Sequence, residues 1–146
     1  MKTRAFDATP DEVRLFLGNE TGQLWRPAKP QPEAHKRLPH EVQQIGWRWK
    51  DLDTTSRRTL ECALIRAAPY QPGDVLWVRE AWLVAADMDG YSTFYRADGE
   101  DIPGPWHYSI TMPRKHSRID IEIVAVAAKQ VDDVWQWVFD WRRIKP

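Results

Sequence analysis

The amino-acid sequence predicts an α+β fold that is mainly β: a small curved β-barrel with two helices at its side. Apolar and polar residues alternate strictly over residues 118–126, so Ile119, Ile121 and Ile123 face one way in a half-exposed strand. Residues 134–144 also alternate and place four large aromatic side chains on one face, which requires a large partner surface. Turn residues between short β-rich segments complete the pattern.

Two helices are predicted in the first half of the chain. The first covers residues 10–18, because Thr9 can act as its N-cap and Pro10 suits its first turn. The second covers residues 56–68, where apolar side chains share one face and Pro69 ends the pattern. Both helices are expected outside the sheet.

Two more strands are predicted at residues 75–80 and 91–96. A Pro-Gly-Asp turn at residues 72–74 precedes the first, and a Met-Asp-Gly turn at residues 88–90 precedes the second. Both strands are rich in β-forming residues. We expect all the predicted strands to join one curved, mainly antiparallel sheet.

The region between the two helices gives no regular pattern. Four prolines occur in residues 27–39, which predicts an extended connection across the surface. Residues 40–54 are assigned to neither a helix nor a strand. Residues 27–55 are therefore interpreted as an irregular, proline-rich connection within one domain that covers residues 1–146.

The composition limits the chemistry that the chain can perform. The 146 residues include one cysteine, Cys62, which excludes an intramolecular disulfide and a zinc site built from thiolates. The four histidines are far apart in the sequence and lack the usual ligand spacing. We therefore expect neither a metal nor another cofactor.

Hydropathy predicts a cytoplasmic protein. The sequence has no run of about 18 apolar residues that could cross a membrane. Its first residues lack the apolar core of a signal peptide. No membrane partner is expected.

The formal net charge of zero argues against salt-driven binding to any DNA duplex. The charge is unevenly distributed, however: residues 26–66 carry nine basic and five acidic side chains. A locally basic face is compatible with this distribution, whereas a wholly basic protein is not.

Nine tryptophans are more than a core of this size readily accommodates, so some are expected to line a groove. Trp77 and Arg79 lie two residues apart on the strand at 75–80, where they can stack on one planar ligand or on each other. Alternatively, Trp77 belongs to the core, and Arg79 and Glu80 are solvated.

A second group of candidate binding residues lies in the loop at residues 106–118, which mixes stacking side chains, hydroxyls and cations suited to single-stranded nucleic acid. The alternative is an ordinary solvated loop. A third, weaker candidate is the segment at 18–27. From these two segments we select Trp106, Ser109, Arg114, Ser117, Trp25 and Arg26.

Four segments together resemble the ASCH-domain family of tailed phages and prophages. Residues 72–82 read PGDVLWVREAW, residues 95–99 YRADG, and residues 109–119 SITMPRKHSRI. The closing segment at 135–144 is similar to the last strand of that family. The resemblance covers residues 70–144 and implies a PUA-like barrel whose cleft faces RNA or a modified nucleobase.

The sequence departs from the enzymes of that family. Many members carry a lysine and two threonines after the first helix, and the bacterial amidohydrolases use the lysine and the second threonine in catalysis. Here Gly18 and Thr21 match, but Glu20 occupies the lysine position, which reverses the local charge. The amidohydrolases also need a helix after residue 126 that carries a catalytic carboxylate, and this chain is too short there to form it. No catalytic residue is assigned.

The first functional hypothesis is therefore a phage-type ASCH module, in the cytosol of a bacterial host, that binds RNA, single-stranded nucleic acid or a modified nucleoside in an aromatic and basic cleft. A second is a nucleoside-directed amidohydrolase with a rearranged site that uses Glu20 or Glu80 as base. A third is a phage regulator or anti-defence factor whose aromatic faces bind a host protein.

Overall fold

The computed structural model describes residues 2–37, 44–87, 90–99 and 105–145. Within these ranges the chain forms two α-helices and ten β-strands. The helices are α1 (Pro10–Gly18) and α2 (Arg57–Arg66). The strands are β1 (Thr3–Asp7), β2 (Thr21–Pro27), β3 (Glu33–Arg37), β4 (Gln44–Trp49), β5 (Leu52–Thr54), β6 (Val75–Arg79), β7 (Trp82–Asp87), β8 (Gly90–Tyr95), β9 (Asp120–Val131) and β10 (Val134–Lys145).

Both predicted helices are confirmed, together with the N-cap at Thr9. Thr9 caps α1 in a capping box: its hydroxyl accepts from the Glu12 backbone N–H, and the Glu12 side chain accepts from the Thr9 N–H. Ser56 caps α2 by accepting from the Thr59 N–H. Helix α2 ends at Arg66, two residues before the predicted boundary.

The prediction of a mainly β fold is confirmed. The described strands form a five-stranded sheet in the order β1-β6-β9-β10-β2, a three-stranded sheet β3-β4-β5 and the two-stranded hairpin β7-β8. None of these three sheets closes into a barrel, so the expected single barrel sheet is not observed among the described residues. Strand β1 is parallel to β6, and β9 is antiparallel to β6.

The four predicted strands correspond to β6, β8, β9 and β10, with shifted ends. Strand β9 begins two residues later than predicted and continues to Val131. Strand β8 belongs to the separate hairpin sheet, which corrects the prediction of one sheet. The turn predicted at residues 88–90 lies partly outside the described residues, since residues 88 and 89 are not described.

The irregular connection predicted for residues 27–55 contains three strands, which corrects that interpretation. Strand β4 pairs antiparallel with both β3 and β5. This sheet buries Trp47 and Trp49, which lie two residues apart on one face. Prolines 30 and 32 precede β3 rather than interrupt it, so they do not prevent the pairing. Residues 38–43 are not described.

The chain divides into two compact units, each made of non-contiguous segments. The first unit comprises residues 1–22, 72–124 and 141–146, and the second comprises residues 23–71 and 125–140. The single domain expected from chain length stays a prediction.

The core of the first unit is formed by α1 and the inner faces of β1, β6 and β9. The ring of Phe16 meets that of Trp141 edge to face, with centroids 4.9 Å apart. Ile119, Ile121 and Ile123 are all buried, as their alternation predicted.

The core of the second unit is aromatic. Trp135, Trp137 and Phe139 on β10 are buried, which agrees with the predicted aromatic face. The indole N–H of Trp137 donates to the Leu64 carbonyl of α2 at 2.7 Å. The ring of Trp47 packs edge to face on Trp135, with centroids 6.2 Å apart.

Candidate binding surface on strand β6

Strand β6 in the first unit has one buried face and one half-exposed face. Leu76 and Val78 are fully buried, whereas Val75, Trp77 and Arg79 are partly exposed. This alternation follows from the two-residue period of a strand. Trp77 therefore lies on the partly exposed face of β6 and not among the fully buried side chains.

The guanidinium of Arg79 is held in place by two partners. It forms an ion pair with Asp7 on β1, the residue opposite it in the strand register, with Nη2 to Oδ2 at 2.7 Å. Its Nη1 donates to the Ile110 carbonyl at 3.2 Å. Its guanidinium carbon lies 5.8 Å from the centre of the Trp77 ring. Arg79 is thus a fixed cation beside an indole.

Arg114 places a second cation near the same ring. It is exposed and starts a 3₁₀ turn at Arg114–His116, and its guanidinium carbon lies 6.0 Å from the Trp77 ring centre. Both distances are at the outer limit of a cation–π contact. An indole face flanked by two guanidinium groups is suited to a planar, anionic ligand.

The two predicted serines are both engaged in contacts within the protein. Ser109 donates from its hydroxyl to Asp7 Oδ1 at 3.2 Å, which places it beside the Arg79–Asp7 pair. Ser117 donates to the Val78 carbonyl at 2.7 Å. Ser109 therefore lies at the candidate surface, whereas Ser117 anchors the loop to the strand.

Trp106 is partly exposed and precedes His107, whose backbone pairs with that of Trp82. No ring or hydrogen-bond contact joins Trp106 to Trp77 in the described part of the chain. The structure therefore does not bring these two indoles into direct contact.

Trp25 and Arg26 belong to the second unit. Trp25 is 36% exposed, and the ammonium of Lys129 lies 5.7 Å from its ring centre. Arg26 donates to the Trp25 carbonyl at 3.1 Å. These residues form a local aromatic and basic group of their own.

A stack of three rings in the first unit was not predicted. The indole of Trp82 packs against His107 and His116, with centroids 4.8 Å and 5.2 Å away. The Trp82 N–H donates to Thr111 at 3.2 Å. In the sequence, only the density of aromatic and imidazole side chains in residues 106–118 indicated such a stack. The stack fixes the loop that carries Ser109 and Arg114.

A buried ion pair lies on the opposite face from Arg79. Glu80 is 1% exposed, and Arg118 donates to both of its carboxylate oxygens, at 2.9 and 3.1 Å. Arg118 also contacts Asp98 at 2.8 Å and lies 4.0 Å over the Tyr95 ring. Burial raises the pKa of the Glu80 carboxyl, and the hydrogen bonds from Arg118 only partly oppose that effect. The alternative of a solvated Glu80 is wrong.

Glu20 and Thr21, which the sequence resemblance aligns with a catalytic motif, are both exposed. With Arg142, Arg143 and Ile144 they line an open cavity of about 370 Å³. Arg143 is fixed by donating to the Phe16 and Leu17 carbonyls at the end of α1, at 2.8 and 2.7 Å. The cavity therefore combines a carboxylate and a hydroxyl with two arginines.

No cluster of three or more His, Cys, Asp or Glu side chains suited to a metal ion occurs among the residues that the structure describes. Within the same residues, no helix is both long and apolar enough to span a membrane.

These features define a mainly β protein with an aromatic, cationic surface on β6. Comparison with protein-family models finds no match. Comparison with curated proteins and with solved structures also finds none.

Proposed function

We propose that this chain is a non-catalytic binding module of the PUA-like ASCH kind, carried by a phage or prophage, that binds RNA, other single-stranded nucleic acid or a modified nucleobase. The observation that carries the proposal is the partly exposed Trp77 ring, with the guanidinium carbons of Arg79 and Arg114 at 5.8 and 6.0 Å from its centre. The sequence resemblance over residues 70–144 supports the same ligand class.

The chemistry of this surface suits a nucleotide better than an apolar partner. An indole face stacks on any base, and such a stack contributes about 1–3 kcal/mol. Guanidinium groups near the ring can bind phosphate oxygens. Because Asp7 and Ile110 already orient Arg79, little side-chain entropy is lost when Arg79 meets a ligand.

A fluorescence titration with short single-stranded RNA at low salt tests the proposal. The RNA should quench tryptophan emission, and Trp77→Ala should weaken binding by about 1–3 kcal/mol. Arg114→Ala should lower the slope of log K against log salt by about 0.7, the value for one phosphate contact on a single strand. Duplex DNA should bind more weakly than the single strand.

Arg96→Ala is the matched control, since Arg96 is an exposed arginine of the same unit. It should change neither the affinity nor the salt slope beyond the general effect of one lost charge. Absence of binding by any single-stranded RNA or DNA at low salt would contradict the proposal and favour the protein-partner hypothesis.

The cavity beside Glu20 and Thr21 favours one second candidate, a nucleoside-directed amidohydrolase with a rearranged site. That chemistry needs a hydroxyl nucleophile and a base of suitable pKa. Incubation with acetylated cytidine should release no acetate if the chain is a binding module. Multiple turnovers that disappear in Glu20→Gln or Thr21→Ala would establish the hydrolase instead.

A further inference from the structure

A pocket with a cationic lining lies on one side of helix α2 in the second unit. Its volume is about 390 Å³. Its polar lining comes from α2 and its N-cap, and Leu52 of β5 adds an apolar wall; the polar side chains are Ser56, Arg58, Thr59, Cys62 and Arg66. No carboxylate belongs to this lining.

The two arginines share one face of α2 because they are eight residues apart, with Cys62 midway between them. At a rise of 1.5 Å per residue their Cα atoms are separated by about 12 Å. Two long, flexible side chains at this spacing can converge on one anion above Cys62 or bind two neighbouring anionic groups.

The charges of these arginines are not neutralised by the described part of the chain. Neither Arg58 nor Arg66 has an ion-pair or hydrogen-bond partner there. Arg57 differs, because it donates to Gln130 at 2.8 Å and stacks 5.1 Å from the Trp135 ring centre. Asp53, which follows Leu52, already contacts His35 at 3.0 Å.

Two hydroxyls add hydrogen-bonding capacity to the pocket. The Ser56 oxygen accepts from the Thr59 N–H at 3.2 Å, and its own O–H can still donate. The Thr59 side chain lies in the same lining. Guanidinium groups and O–H donors both donate hydrogen bonds to phosphate oxygens, so this set of side chains suits a phosphate ligand.

We propose that this pocket binds phosphate groups, supplied either by a free oligophosphate or nucleotide or by the backbone of a nucleic acid. The inference is independent of the proposed function, because it uses no residue of the Trp77 surface.

Cys62 gives a direct way to test the proposal. It is the only cysteine of the chain, it is exposed, and it lies in the pocket lining. Its alkylation rate with iodoacetamide, a neutral reagent, therefore reports whether the pocket is occupied. Inorganic tripolyphosphate at low salt should slow alkylation at least fivefold relative to potassium chloride of equal ionic strength.

The protection should depend on the two arginines. Arg58→Gln and Arg66→Gln should each raise the tripolyphosphate concentration for half-protection about tenfold, and the double variant should lose protection. Lys29→Gln is the control, since Lys29 is an exposed cation of the same unit that lies outside the pocket lining, and tripolyphosphate should protect Cys62 in this variant as in the wild type. Circular dichroism of each variant checks folding, and each single variant tests the proposal on its own if the double variant fails to fold.

A second arm identifies the source of the phosphate. The concentration of phosphate groups that half-protects Cys62 is compared for a short oligouridylate and for tripolyphosphate. If the oligouridylate needs the lower concentration, the pocket is assigned to a nucleic-acid backbone. The reverse order assigns it to a free oligophosphate or nucleotide. The proposal is overturned if neither compound slows alkylation, or if protection survives in the folded double variant.

Discussion

Glu80 lies in an environment that its sequence neighbours do not indicate. It follows the partly exposed Arg79 and is almost completely buried, with Arg118 as its bidentate partner. A buried carboxylate loses hydration, and its pairing with an arginine restores only part of that free energy. This balance explains why the pKa of Glu80 is raised despite the ion pair.

The raised pKa predicts how stability changes with pH. The folded carboxyl binds its proton more tightly than the unfolded one, whose pKa is about 4.3. The contribution of Glu80 to the free energy of unfolding is therefore full below that value and is lost as the pH rises through the folded pKa. Urea unfolding between pH 4 and pH 7 should show the wild type losing stability relative to Glu80→Gln as the pH rises.

Glu33→Gln, which removes an exposed carboxyl, is the control for that experiment. The free energies of unfolding of this variant, of Glu80→Gln and of the wild type are compared at the same pH values. A wild type that gains stability relative to Glu80→Gln with rising pH would show that the pair with Arg118 outweighs burial.

At the scale of secondary-structure elements, the packing of β2 against β10 in the first unit depends on one glycine. A Cβ atom added to Gly22 would lie 2.7 Å from Cζ2 of the buried Trp141 ring. This ring has little room to move, because it also packs on Phe16. Gly22→Ala should therefore lower the free energy of unfolding by about 1–3 kcal/mol, measured by urea denaturation.

Gly18→Ala serves as the matched control for this substitution. Gly18 ends α1, and a Cβ atom there would meet nothing within 4 Å. Its substitution should be neutral or slightly stabilising, since alanine reduces the entropy of the unfolded chain. Equal losses of stability at the two positions would argue against the clash with Trp141.

For the whole molecule, the nine tryptophans divide into two classes of accessibility. Five are buried, namely Trp47, Trp49, Trp135, Trp137 and Trp141, and the other four are partly or more exposed. Acrylamide quenching of the native protein should therefore give a downward-curving Stern–Volmer plot, with one accessible and one protected fraction. In urea the plot should lose this curvature, and a linear native plot would contradict the burial of the five.

Local features of the fold were determined by the sequence itself. The helix caps at Thr9 and Ser56 each depend on a few neighbouring residues. The buried strand face of Ile119, Ile121 and Ile123 likewise follows from a short alternating segment. A helix start and a strand face each depend on neighbours one turn or two positions away, so a pattern in the sequence is enough to identify them. The placing of Trp77 and Arg79 on one strand face followed from the same periodicity.

Only the tertiary structure decided the contacts between distant segments. Asp7 and Arg79 are 72 residues apart, and Glu80 and Arg118 are 38 apart. Such pairs form when sheet order and register are fixed, and these depend on the packing free energy of many elements together rather than on local propensity. The same reason explains the sheet β3-β4-β5 in a proline-rich region, where strand pairing and the burial of Trp47 and Trp49 stabilise the sheet.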